Sequence, residues 1–183
     1  MRAYQLSLFA DDELSPIDNS DDDSLQTFVY FQSGEIVNEL EMVIMDILEM
    51  VLGDRFRYCP QVPLEVICRR PENRWLPKDD WQFLVSSKVD ITVIERGYRA
   101  TRKAKLVVEC QSHYHDLLDT QVRDRKKAKF LSSVGVPLIY VRRIGEDHRF
   151  YRFYTPNGQA EVIYNLITQE GRTELTAFLQ DLL

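Results

Sequence analysis

The apolar positions Ile36, Leu40, Val43, Ile44, Ile47, Leu48, Val51 and Leu52 recur at steps of three and four. That spacing lays one stripe along a helix from about Gly34 to Leu52, with Ser33 placed to cap it and Gly53 to stop it. In CPQVPLEVIC (59–68) the period drops to two, Val62, Leu64 and Val66 alternating with polar neighbours, which predicts a strand. Residues 70–87 (RPENRWLPKDDWQFLVSS) keep neither period and read as an irregular excursion carrying both tryptophans. Alternation resumes in Lys88–Glu95, with Val89, Ile91 and Val93 on one face and Asp90, Thr92 and Ile94 on the other. Beyond a loop over 96–104, KLVVECQ (105–111) is a third strand, 116–133 a charge-rich helix ending before Gly135 and Pro137, and PLIYVRR a fourth strand. A turn at PNG (156–158) pairs FYRFYT with QAEVIYN, and Thr173–Leu182 is a terminal amphipathic helix.

The core order is α-β-β-β-α-β, followed by a hairpin and a helix. Short links among the first three strands predict an antiparallel meander, and the helix before the fourth supplies the crossover for a parallel pair. The fold class is therefore α/β with a mixed central sheet. Residues 10–24 (ADDELSPIDNSDDDS) bury too little apolar surface to offset their ordering entropy and read as a flexible acidic linker. This divides the chain into a tail, 1–24, and one domain, 25–183. No internal repeat is present.

No apolar run approaches the ~20 residues that span a bilayer, and the N-terminus turns acidic too soon for a secretory signal. Membrane partners are therefore not expected. Cys59, Cys68 and Cys110 form no CxxC pair, and their odd number without an export signal favours reduced thiols in a cytoplasm. The net charge of −6 conceals two parts. Residues 1–24 hold seven acids against Arg2, a net of −6, so the remainder is neutral. Within that remainder, residues 96–152 carry 14 basic and 6 acidic groups, a net of +8. Such an excess suits a binder of phosphate backbone and equally a solvated basic helix face.

Strand alternation puts Glu109 and Gln111 on one face of the third strand and Leu106, Val108 and Cys110 on the other. Asp90, one short loop earlier in the meander, can lie beside Glu109 across the ladder. Two carboxylates meeting on a sheet face are costly unless a cation neutralises them. Mg²⁺ prefers such hard oxygen donors, and Asp90, Glu109 and the backbone carbonyl of Cys110 can supply three ligands. Read separately, each acid is an ordinary strand carboxylate paired with an arginine. Their place in otherwise apolar strands weakens that reading, because unpaired charge is disfavoured there.

The run VDITV, then VVECQSHYH, then Asp116, Gln121, Arg123, Asp124 and Lys127 spaced as D-x-x-x-x-Q-x-R-D-x-x-K, resembles the PD-(D/E)XK nuclease superfamily. Within it the chain is similar to bacterial domains related to very-short-patch repair endonucleases, over roughly residues 28–143. The resemblance implies a restriction-endonuclease-like α-β-β-β-α-β core, Mg²⁺ or Mn²⁺ as cofactor and DNA as partner. It also implies catalytic roles for Asp90 and Glu109. Glu35 matches the family's early helical Glu, where it can hold a metal-bound water or simply suit the helix dipole. The superfamily's lysine two residues after the Glu is Gln111 here, and Lys127 on the following helix is the residue that can replace it. Lys127 or Gln111 would orient the attacking water. Lys127 can equally pair with Asp124 or Asp119. His115 matches the family's His and is expected at phosphate or an active-site group, with helix capping as its plain role. Some of Arg123, Arg125, Lys126 and Lys129 are expected on nucleic-acid backbone. The function implied is metal-dependent DNA cleavage in repair, replication or defence. The missing lysine leaves a catalytically inactive nucleic-acid-binding or adaptor module as the alternative.

The tail begins with QLSLF (5–9), which resembles the bacterial sliding-clamp-binding pentapeptide. An extended peptide of this kind buries Leu8 and Phe9 in apolar pockets while Gln5 hydrogen-bonds at the rim. The competing role for Leu6, Leu8 and Phe9 is an added strand on the chain's own sheet.

Overall fold

The computed structural model describes residues 34–183 other than 71, 73, 74, 112–117 and 147. The chain divides into two compact units, Met1–Glu35 and Ile36–Leu183, and every element below belongs to the second. The acidic segment 10–24 and the clamp-like residues Gln5, Leu8 and Phe9 lie outside the described residues.

Helix α1 runs Glu39–Leu52, five residues shorter at its start than periodicity predicts. Its N-cap is Asn38 rather than Ser33. The Asn38 Oδ1 accepts from the Glu41 N–H at 2.9 Å while the Glu41 carboxylate accepts from the Asn38 N–H at 3.2 Å, a reciprocal capping box. At the other end Gly53, with φ 68, stops the helix as expected.

Strand β1 is Phe56–Pro63, so the strand expected over 59–68 begins earlier and ends sooner. Pro63 has no N–H to continue pairing. The chain then forms a single turn, α2 (Leu64–Ile67), in which Leu64 and Cys68 bury four residues apart. The excursion over 70–87 also contains a helix, α3 (Lys78–Ser86). Pro77 precedes it with φ −50, and Asp79 and Asp80 in the first turn face the positive end of the helix dipole.

Strands β2 (Lys88–Glu95) and β3 (Ala104–Gln111) precede α4 (Leu118–Ser133) and β4 (Leu138–Arg143). The hairpin is β5 (Phe150–Tyr154) and β6 (Glu161–Asn165), and α5 (Gln169–Gln180) follows. All six strands form one sheet in chain order, parallel only between β3 and β4 and antiparallel elsewhere. The protein is thus α/β with a mixed sheet. Helix α5 starts four residues before the predicted Thr173, because Thr168 caps it through the Gly171 N–H. Gly171 is no breaker there: a Cβ would meet the Asn165 backbone at 3.1 Å, so a side chain at this position would crowd the helix against that backbone.

One sheet face packs on α1 and α5 through Ile44, Ile47, Leu48, Leu175 and Leu179, which meet Ile91, Val93, Leu106, Val108 and Ile139. The other packs on α2, α3 and α4 through Leu64, Leu84 and Leu131, which meet Val107, Leu138 and Tyr140. Both faces are therefore covered. The face of β2 read as polar is no exception, since Thr92 is buried within it. No helix among the described residues is long and apolar enough to cross a membrane.

Candidate active site

Strands β2 and β3 pair Val93 with Leu106, Thr92 with Val107 and Ile91 with Val108. One step further in this register stands Asp90 opposite Glu109. Instead of a plain continuation of the ladder, the Asp90 carboxylate takes the next backbone donor, accepting from the Cys110 N–H at 2.8 Å. Beside it Glu109 is 2% exposed, and such burial is tolerable for a carboxylate only with a partner. Lys127 of α4 supplies one, its Nζ 2.6 Å from Glu109 Oε2. The second oxygen, Oε1, is buried and has no hydrogen-bond partner among the described residues.

These residues line a pocket of about 420 Å³ together with Glu41 and Asn38 of α1, Lys88, Cys110, and Thr120, Arg123 and Asp124 of α4. Thr120, Arg123, Asp124 and Lys127 are spaced by three, one and three along α4 and so share one helix face. Asp124 is itself buried. Glu41 is 4% exposed and directed at the same pocket.

The electrostatics follow from this crowding. Burial pushes the Glu109 carboxyl up to about 8, with Lys127 pulling it down and Asp90 pushing it further up. Burial likewise raises the Glu41 carboxyl, which its hydrogen bonds from Asn38 and Gln61 oppose and Asp90 reinforces. The Cys110 thiol is raised by burial and then by Asp90, Glu41 and Glu109, so three carboxylates act on one point. Among the described residues, no three His, Cys, Asp or Glu side chains are already gathered about one metal position. What the pocket offers a hard cation is the Asp90–Glu109 pair, one of whose oxygens is buried and unpartnered. That donor set fits Mg²⁺ or Mn²⁺.

The remaining predicted residues separate. Gln111 does follow Glu109 on β3, but both ends of its amide are engaged. Its Nε2 donates to Asp124 Oδ2 at 3.1 Å and its Oε1 accepts from the Tyr154 hydroxyl. Cys110 lines the pocket with its N–H committed to Asp90. Glu35 is not in a first helical turn, because α1 begins at Glu39; it is exposed, and the helical carboxylate at the pocket is Glu41. The capping-box spacing Asn38-x-x-Glu41 was the sequence signal for that placement.

Arg123 is exposed at the pocket. Arg125, Lys126 and Lys129 line a separate groove between α3 and α4. There Lys126 is bound to α3: its Nζ lies 2.7 Å from Asp80, 3.2 Å from the Asp79 carbonyl and 5.0 Å from the Phe83 ring centroid. Arg125 and Lys129 are exposed. His113, His115 and Asp116 lie outside the described residues. The three cysteines are free thiols.

No family model, curated protein or solved structure matches the chain.

Proposed function

We propose that this protein is a divalent-cation-dependent nuclease that hydrolyses DNA phosphodiester bonds, built on the restriction-endonuclease-like core of the PD-(D/E)XK type. The observation that carries the reading is the buried Glu109, with Lys127 on one carboxylate oxygen and no partner on the other, beside Asp90. A buried oxygen without a protein partner is the exception in folded proteins, and it is what a cation-binding carboxylate presents.

In this reading Asp90 and Glu109 hold Mg²⁺ or Mn²⁺, with the Cys110 carbonyl as a third candidate ligand. A cation so held lowers the pKa of bound water and stabilises negative charge on the phosphoryl oxygens. The Cys110 N–H fixes the Asp90 rotamer, and Lys127 fixes that of Glu109. The Lys127 ammonium has further protons to present to a water or a phosphate oxygen. Glutamine cannot accept a proton at neutral pH, so Gln111 braces Asp124 and leaves orientation of the water to Lys127. Arg123 at the rim draws the phosphate backbone towards the carboxylates.

A second reading, a DNA-binding module without catalysis, draws on the engaged amide of Gln111 in the place of the superfamily's lysine. One assay separates the two. The full chain is incubated with linear, nicked, flapped and mismatched DNA, with Mg²⁺, Mn²⁺ or EDTA, alongside Glu109→Gln. Cation-dependent cleavage by the wild type alone supports the nuclease. Binding without cleavage supports the module, and neither result on any substrate overturns both.

A further inference from the structure

Among the described residues, two that are not glycine have positive φ, and one of them, Gln61 at 54°, lies within strand β1. The other, Arg102, is in a loop. A left-handed backbone strains any residue with a Cβ, and a strand gives no local reason to adopt it. The position is informative. β1 pairs Pro60 with Ile91 and Val62 with Val89, so Gln61 stands opposite Asp90 in the register. Its side chain crosses to α1, where Nε2 donates to Glu41 Oε1 at 3.0 Å. The same oxygen accepts from Asn38 Nδ2 at 2.8 Å, and Oε2 accepts from the Asn38 N–H at 3.2 Å.

An N-terminal helix cap does not need this. The capping box is complete with Asn38 and Glu41 alone, and one Glu oxygen bonded to the cap N–H is all the motif requires. The donor from Gln61 comes from a different layer of the protein, at the cost of strain, and bears on the oxygen shared with Asn38 Nδ2. Its effect is to pin Glu41 at the wall of the pocket that Asp90 and Glu109 also line.

We propose that Gln61 is a positioning residue of the carboxylate site, holding Glu41 as a third carboxyl beside Asp90 and Glu109. The inference rests on the cation-dependent reading above. Glu41 would bear on a cation held there as a further carboxyl on the pocket wall.

The test measures Mn²⁺ affinity by calorimetry on the full chain, with melting temperature recorded without metal. Gln61→Gly accepts the backbone and lacks the amide. Gln61→Asn tolerates the backbone better than most residues but is one methylene too short. Both are expected to melt within a few degrees of wild type and to weaken Mn²⁺ binding about three- to tenfold, as the net loss of one ordinary hydrogen bond implies. In a Glu41→Gln background, Gln61→Gly should weaken binding no further, because Gln61 acts through Glu41. Wild-type affinity in both Gln61 variants would overturn the inference, as would an equal loss in the Glu41→Gln background. A wild type that binds no Mn²⁺ at all would instead overturn the cation site on which it rests.

Discussion

Lys127 Nζ lies 2.6 Å from Glu109 Oε2, across the interface between α4 and β3, while the other oxygen of that carboxylate is buried without a partner among the described residues. An ammonium therefore satisfies one side of the carboxyl only. In the nuclease reading proposed above, Lys127 would take the part of a lysine two residues along the strand, approaching from the helix layer.

Lys127→Met should therefore affect turnover more than substrate binding, since a contact that orients the reacting groups acts mainly in the transition state. We expect DNA affinity, measured with Ca²⁺ in place of Mg²⁺, to stay within about twofold. Turnover should fall by at least about a hundredfold, as for other positioned polar groups. The variant also loses the counter-ion of a buried carboxyl, so it should be less stable by about 1–3 kcal/mol. Equal losses in binding and turnover would return Lys127 to a purely structural ion pair.

Replacing Glu109 separates function from stability. Its carboxyl is raised to about 8 in the folded protein against an ordinary 4.5, so the folded state holds a proton that the unfolded state releases. The stability this contributes is complete below about pH 4.5 and is lost as pH rises to about 8. In EDTA, wild type should lose melting temperature over that window relative to Glu109→Gln. The slope has a ceiling of ~1.4 kcal/mol per pH unit, or about 3–5 °C. Glu109→Gln should be inactive throughout. A wild type and variant that melt in parallel across this range would show that Glu109 is ionised in the fold at neutral pH.

Much of this site was legible because β3 is nearly all apolar: an acid in LVVEC has no plain surface role, and alternation put it on a definite face. The crossover helix then followed from chain order. Glu41 was less legible, since it reads equally as an exposed first-turn acid and as a buried capping-box partner, and only packing of α1 on the sheet distinguishes them. A helix read from Gly34 puts Glu35 in its first turn, whereas the Asn38 cap puts Glu41 there. The grouping of cations was also hidden. Arg123, Arg125, Lys126 and Lys129 form one run in sequence, yet helical geometry sends Arg123 to the carboxylate pocket and the others to the α3 side. What α3 contributes there depended on a helix that its own weak periodicity concealed.

That division predicts different behaviour from adjacent residues. Lys126→Ala should destabilise the fold, because the side chain links α4 to Asp80 and Phe83 of α3. A partly buried ion pair and a cation–π contact together are worth about 1–2 kcal/mol. It should leave the salt dependence of DNA binding nearly unchanged. Arg125→Ala should keep the melting temperature and reduce the slope of log affinity against log salt by about one, the signature of one lost phosphate contact. Titrations at several salt concentrations, with melting curves for each variant, decide the assignment. The reverse pattern would put Lys126 on DNA and Arg125 in the fold.

Gln111 stands where the nuclease reading would place a lysine. It shares a strand face with Glu109 two residues away, about 7 Å along the chain. Its amide reaches Asp124, which lines the carboxylate pocket. A lysine side chain is longer, so its ammonium can extend past the amide's position towards the same carboxylates. In wild type Glu109 Oε2 already accepts from Lys127, and in the nuclease reading the open Oε1 would be the cation's, so a second ammonium would have no place to fill. Gln111→Lys alone should therefore change turnover less than about tenfold. It should also lose stability of order 1 kcal/mol from the broken link between Asp124 and Tyr154. In the Lys127→Met background the same substitution restores a cation to the site, and turnover should recover by at least about tenfold, a coupling of ~1.4 kcal/mol or more. Single-turnover cleavage by the two single variants and the double variant completes the cycle. If the double variant is as inactive as Lys127→Met alone, the ammonium's function depends on its approach from α4, and the two lysine positions are not interchangeable.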